Sequence, residues 1–189
     1  MSFGSVGQYE KLRGIAYGEL DPSDPRNAVI TDIKLAPINA KGMVEYSMDI
    51  FILKPINLNR GNRRLLFDFN NRGEMRVGLL TDAVLTNNPT STKHAGTGFI
   101  MNQGYTVVGS GWEPAVSGAD AMKITVPVVT KNGVAITGPS YEYIVFDNDT
   151  AMTSRLAYGA ADTDKSQAIL LSLIHISEPT RRYAISYAV

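Results

Sequence analysis

The sequence predicts an α/β fold in which an antiparallel, β-rich amino-terminal part leads into a parallel βαβ unit. Three observations predict it. Val44, Tyr46, Met48, Ile50 and Ile52 recur at strict period two, the signature of a half-buried strand. Leu65-Leu66-Phe67-Asp68-Phe69 and Tyr105-Thr106-Val107-Val108 are short, nearly continuous apolar runs, the pattern of strands buried on both faces. Between them, Gly98 to Gln103 reads as the end of a helix with Gly104 as its C-cap. Strand, helix and strand joined by a crossover imply parallel pairing.

The elements follow in order. Tyr9 to Tyr17 carries β-formers between glycines. Asp21-Pro22-Ser23-Asp24-Pro25 is turn chemistry, since each Pro fixes φ and each Asp can bond its own backbone. Val29 to Ala36 alternates imperfectly through Ile30, Ile33 and Leu35 and reads as a weaker strand. The period-two strand has Glu45, Ser47 and Asp49 opposite its apolar set until Phe51 breaks the pattern, and Pro55 ends it. Asn57 to Asn62 is a polar loop. The run at Leu65 stops at Asn70-Asn71-Arg72-Gly73, and a polar, turn-rich stretch continues to Thr97. Gly109-Ser110-Gly111-Trp112 closes the run at Tyr105. Lys123 to Val129 and Val134 to Thr137 flank Thr130-Lys131-Asn132-Gly133, a strong hairpin signal because Asn and Gly both accept positive φ. Tyr141 to Phe146 is a further strand, and Asp147 to Gln167 is polar and turn-like.

Composition excludes several classes. The chain holds 18 basic and 18 acidic residues and no cysteine, so it has no disulfide framework and no thiolate metal site. No basic block suggests a nucleic-acid footprint. No apolar run approaches the roughly 20 residues that span a membrane. The start, Met1-Ser-Phe-Gly-Ser, lacks the charged and apolar regions of a signal peptide. Asp49, Asp68 and Asp147 are scattered carboxylates without metal-ligand spacing, and nothing calls for a cofactor.

The last nineteen residues, Leu171 to Val189, resemble the translation of a transposase-type sequencing adapter. Two constant blocks match in frame, Leu171 to Arg181 and Ile185 to Val189. The gap between them, Arg182, Tyr183 and Ala184, fits a sample index. The expected organisation is therefore residues 1–170, the incomplete front of one domain, and residues 171–189, an artefactual tail. Ile174, His175, Ser177, Glu178, Arg181 and Arg182 then carry no selected chemistry. Without the tail, 16 basic residues stand against 17 acidic ones, a net charge of −1.

Tyr9 to Ile33, Leu35 to Ile56, Arg60 to Gly73 (RGNRRLLFDFNNRG) and Gly96 to Trp112 (GTGFIMNQGYTVVGSGW) together resemble the N-terminal part of a large bacterial and fungal α/β-hydrolase-domain family. The resemblance covers most of residues 7–150. It implies a truncated α/β-hydrolase-like fold, esterase-like serine-hydrolase ancestry and a small-molecule ester substrate. In such enzymes a loop after a central strand donates a backbone N–H to the oxyanion. Here that loop would be Asn70, Asn71, Arg72 and Gly73. Backbone donors of this kind are worth roughly 10²–10³ in rate when removed.

The sequence departs from the hydrolase pattern in one decisive respect. No Gly-x-Ser-x-Gly occurs, and Gly138-Pro139-Ser140-Tyr141-Glu142 fails at its last position. The chain order in this fold is Ser, then Asp or Glu, then His, so all three members are expected beyond the cut near Leu170. His94 comes too early for a catalytic base and reads as a loop residue. Ser110 reads as a strand-end turn, and Trp112 as a packing residue. The fragment itself is expected to be inactive. The competing function is a non-catalytic β-rich binding module whose apparent crossover is only a long loop.

Overall fold

A computed structural model describes residues 1–138 throughout. Beyond them it describes all except 139, 146, 147, 149, 152, 155, 157, 158, 165, 167, 174–181 and 188–189. The chain divides into two compact units, Met1–Val129 and Thr130–Val189.

The first unit is built on six strands, β1 (Ser2–Phe3), β2 (Gly7–Leu20), β3 (Val44–Pro55), β4 (Leu65–Asp68), β5 (Thr106–Ser110) and β6 (Ile124–Thr125). They form one curled, mixed sheet in the order β1-β2-β3-β5-β4, with β6 pairing further along β3. β2 and β3 pair antiparallel along their whole length, from Tyr9 opposite Pro55 to Leu20 opposite Val44. The period-two strand is therefore present, but its burial is divided. At one end Val44 lines an apolar cavity with Leu20, Ile33 and Val126. At the other end Phe51, from the opposite face, enters the main core. The core changes sides along β3, and this is why Phe51 breaks the apolar–polar alternation.

The main core gathers Phe51, Val107, Met75, Ala95, Ile100, Met101 and Met122, with Leu53, Leu66, Tyr9 and Phe3 packed against it. The Tyr9 hydroxyl reaches the carbonyls of Met101, at 3.1 Å, and Tyr105, at 3.0 Å. Its burial pushes the phenol up to about 12. The opposite sheet face carries a cross-strand row, Leu12, Ile52, Val108 and Phe67, in direct register over four strands. Leu12 and Phe67 are exposed there. Phe69 meets Phe67 edge-on, with ring centroids 4.8 Å apart.

The expected α/β class is overturned. Among the described residues the one α-helix, α1 (Phe99–Asn102), has four residues, and the molecule is mostly β. β4 and β5 do pair parallel, from Leu65 opposite Thr106 to Asp68 opposite Gly109. The helix between them is a single turn, α1, which sends Ile100 and Met101 into the core, so this is not the βαβ arrangement of an α/β-hydrolase-like fold. The connection runs through the 3-10 turns Val77–Thr81 and Thr92–His94 before α1. The reason lies in its composition. Gly73, Gly78, Pro89 and Gly96 interrupt any helix, and the sheet is covered by loop side chains, Met75, Ala95 and Met122, instead. Gly104, at φ 77°, does terminate α1, its N–H bonding Met101 O at 3.0 Å.

Two further expectations are corrected. β4 is an edge strand with Leu65 and Phe67 exposed, not a central strand buried on both faces. Residues 29–36 form turns and a short 3-10 helix, Ile33–Leu35, not a strand. Asp32 there adopts φ 57°, which interrupts an extended chain. The Asp-Pro turn behaves as its chemistry dictates. Asp21 accepts from the N–H and hydroxyl of Ser23, and Asp24 caps the turn Pro25–Asn27 through the Arg26 N–H. The hydroxyl and N–H of Ser23 hold the Asp21 carboxyl below the usual carboxylate range, and the Arg26 guanidinium, together with the Arg26 N–H, does the same for Asp24.

The second unit holds a hairpin of β7 (Thr130–Lys131) and β8 (Val134–Ala135), and an antiparallel sheet of β9 (Ser140–Ile144), β10 (Ala168–Leu173) and β11 (Arg182–Tyr187) in the order β10-β11-β9. Asn132 and Gly133 close the hairpin at φ 54° and 79°. Leu171 to Leu173 and Arg182 to Tyr187 of the adapter-like tail lie in β10 and β11. Ile174, His175, Ser177, Glu178 and Arg181 lie outside the described residues.

Candidate functional site

Asn70, Asn71, Arg72 and Gly73 leave the carboxyl end of β4, as expected of the candidate loop, but they form a tighter structure than a loop. The Asn71 N–H donates to Glu74 O at 2.9 Å, and the Glu74 N–H returns to Asn71 O at 3.1 Å. Arg72 and Gly73 both have positive φ, 49° and 83°. This is a two-residue turn of type I′. Only glycine fits at 73, because a Cβ there would lie 2.9 Å from the carbonyl oxygen of Met122 in an already left-handed backbone.

Buried polar side chains hold the turn. Asn70 is 1% exposed. Its Nδ2 donates to Ser110 O at 2.6 Å, which ties the end of β4 to the end of β5, and its Oδ1 accepts the Gly73 N–H at 3.1 Å. The Trp112 indole N–H donates to Asn70 O at 2.8 Å. Asn87 fastens the turn from the far side. Its Oδ1 accepts the Met75 N–H at 2.8 Å, and its Nδ2 donates to Gly73 O and Asp120 O, both at 2.6 Å. Asp68, also buried, accepts the N–H groups of Arg76 at 2.8 Å and Val77 at 2.5 Å. Buried polar groups are stable only when so satisfied.

The turn forms one wall of a polar cleft of about 500 Å³, lined also by Glu74, Arg76, Ser117 and Asp120. Its charges are partly paired. Arg76 meets Glu74 at 2.9 Å, and Arg13 meets Asp120 at 2.6 Å. Among the described residues Arg72 has no carboxylate partner, and the Arg76 Nε is buried without one.

Three of the loop's potential donors are already spent. The N–H groups of Asn71 and Gly73 and the side-chain amide of Asn70 all bond within the turn or to β5. The Arg72 N–H is the donor of the turn proper that has no partner among the described residues. His94 and Ser110 are not brought together at the cleft. His94 Nδ1 accepts the N–H groups of Thr90 and Ser91, at 2.9 and 3.2 Å, and so ties its own short turn. Ser110 pairs in register with Ile50 on β3. Trp112 does more than pack, since its indole N–H is one of the ties on Asn70. Asp49 serves the backbone, accepting the Lys123 N–H at 2.9 Å. Among the described residues no three His, Asp or Glu side chains are grouped to hold a metal ion.

Sequence reasoning missed Asn87 and undervalued Asp68. The available signal was local: Thr86-Asn87-Asn88-Pro89 is Asx-rich turn chemistry inside a stretch that also contributes Met75 to the core. Comparison with known protein families, with curated proteins and with solved structures gives no match.

Proposed function

We propose that this chain is the front part of an esterase-like serine hydrolase acting on a small carboxylic ester, with the nucleophile and its base supplied by sequence beyond residue 170. The observation that carries the reading is the cleft at the carboxyl ends of the parallel pair β4 and β5, where Asn70 joins the two strand ends. Concave sites with a few convergent polar groups are where small ligands bind. The resemblance of residues 60–73 and 96–112 to a hydrolase-domain family points the same way. The part played by this piece is positional. The Arg72 N–H is the backbone donor still available to a substrate oxygen, and the remaining groups hold the turn still. The adapter-like tail has no part in it.

A second reading, a non-catalytic β-rich binding module, is favoured by one observation. The connection between β4 and β5 is mostly loop.

The deciding experiment is recovery of the uninterrupted gene and expression of its product beside the 189-residue chain. The longer product is expected to react with a fluorophosphonate probe at a serine beyond residue 170 and to hydrolyse 4-nitrophenyl acetate, with the present chain inert to both. A longer product that neither labels nor turns over overturns the hydrolase reading. Turnover by the short chain that disappears in Ser110→Ala would move the nucleophile to Ser110.

A further inference from the structure

We infer that the cleft takes an anionic ester, a half-ester of a dicarboxylic acid, and that Arg72 anchors its free carboxylate. The inference rests on the ester-site reading above and names the substrate class.

Two independent observations carry it. The first is the charge balance of the cleft. Glu74 has its cation in Arg76, and Asp120 has its cation in Arg13. Arg72 is left as the one charge of the cleft wall without an opposite partner among the described residues, beside a buried Arg76 Nε that also has no partner. A guanidinium matches a carboxylate with two parallel N–H donors, which an ammonium cannot do.

The second observation is the backbone. Type I′ turns take Asn, Asp or Gly at the first central position, because these residues adopt positive φ at little cost. Arg72 holds φ 49° there. Strain of this kind in a non-glycine residue persists where the surroundings enforce it, and it collects at ligand sites. Asn70 and Asn87 supply that enforcement. The strain places a cation at the cleft, at a position where asparagine or glycine would be more stable.

The test uses the full 189-residue chain with monomethyl succinate and dimethyl succinate as probes, read by amide chemical-shift titration of Arg72, Gly73 and Asn87. Monomethyl succinate is expected to bind more tightly than the diester and to shift these amides. Arg72→Gly is expected to weaken the monoester by about tenfold, the factor carried by one charge-assisted hydrogen bond. It should weaken the diester, which offers no carboxylate to Arg72, by less than it weakens the monoester, and raise the urea midpoint, because the strain is relieved. Arg72→Lys should bind the monoester with an affinity between the two. Equal affinity for both esters, or an equal loss of both in Arg72→Gly, overturns the inference while the ester site stands. Absence of any cleft shift with either ester overturns both.

Discussion

The molecule contains the same turn twice. Asn132-Gly133 joins β7 to β8 with φ 54° and 79°, and Arg72-Gly73 joins Asn71 to Glu74 with φ 49° and 83°. The backbones are nearly superimposable in these angles, but the causes differ. At 132–133 the residues themselves select the turn, and a Cβ built on Gly133 meets nothing within 4 Å. At 72–73 the first residue opposes the turn. The geometry is imposed by Asn70, Asn87 and the crowding of Gly73 against Met122. One turn is made by local propensity and the other by tertiary contacts, and the second borders a cleft whose wall holds Arg72 without a carboxylate partner among the described residues.

The comparison can be broken most forcefully at the anchors. Asn87→Ala strands the Gly73 and Asp120 carbonyls and the Met75 N–H, and is expected to destabilise the chain by about 2–4 kcal/mol. Asn132→Ala should cost no more than about 1 kcal/mol, the left-handed penalty alone. Urea unfolding of the two variants checks this, and equal losses would remove the distinction between the turns. The glycines sharpen it next. Gly73→Ala adds a steric conflict to the unfavourable φ and should cost about 2–3 kcal/mol, against about 1 kcal/mol for Gly133→Ala. A smaller effect, of opposite sign, is expected at the central residue. Arg72→Gly should stabilise by roughly 0.5–1 kcal/mol, as a relieved left-handed position does.

A pH experiment bears on the core beside that turn. The Tyr9 phenol is raised, so the folded state holds its proton where the unfolded chain has released it. The associated stability is complete below the ordinary tyrosine value near 10 and is lost as pH rises towards 12. Tyr9→Phe should flatten the stability profile in that window.

Elements set by local chemistry were legible in the sequence. The Asn-Gly turn, the Asp-Pro turn, the Gly104 terminus of α1 and the long β3 all announce themselves through φ preferences or side-chain period. What was not legible depends on distant partners. The apolar runs at Leu65 and Tyr105 look alike, yet one is an edge strand and the other lies inside the sheet. Strand order, not composition, decides that difference. The expected crossover helix failed because Met75 and Ala95 reach the core from turns, which carry no helical period. At the candidate site, residues 70–73 were legible as a polar stop after β4. Their conformation was not, because Asn87 and Met122 impose it from elsewhere in the chain.

Trp112 is the only tryptophan in the chain, and its indole N–H is bonded to the carbonyl of Asn70. The protein thus carries its own fluorophore on the residue that anchors the strained turn. Half-exposed at 51%, that indole is poised for a change in emission colour and intensity whenever the contact parts. Excitation at the red edge of the tyrosine band would report the surroundings of this one indole, and a change that precedes the loss of the backbone signal would mark the opening of residues 70–73 before global melting. A ligand that stills the turn would announce itself by light, with no label attached.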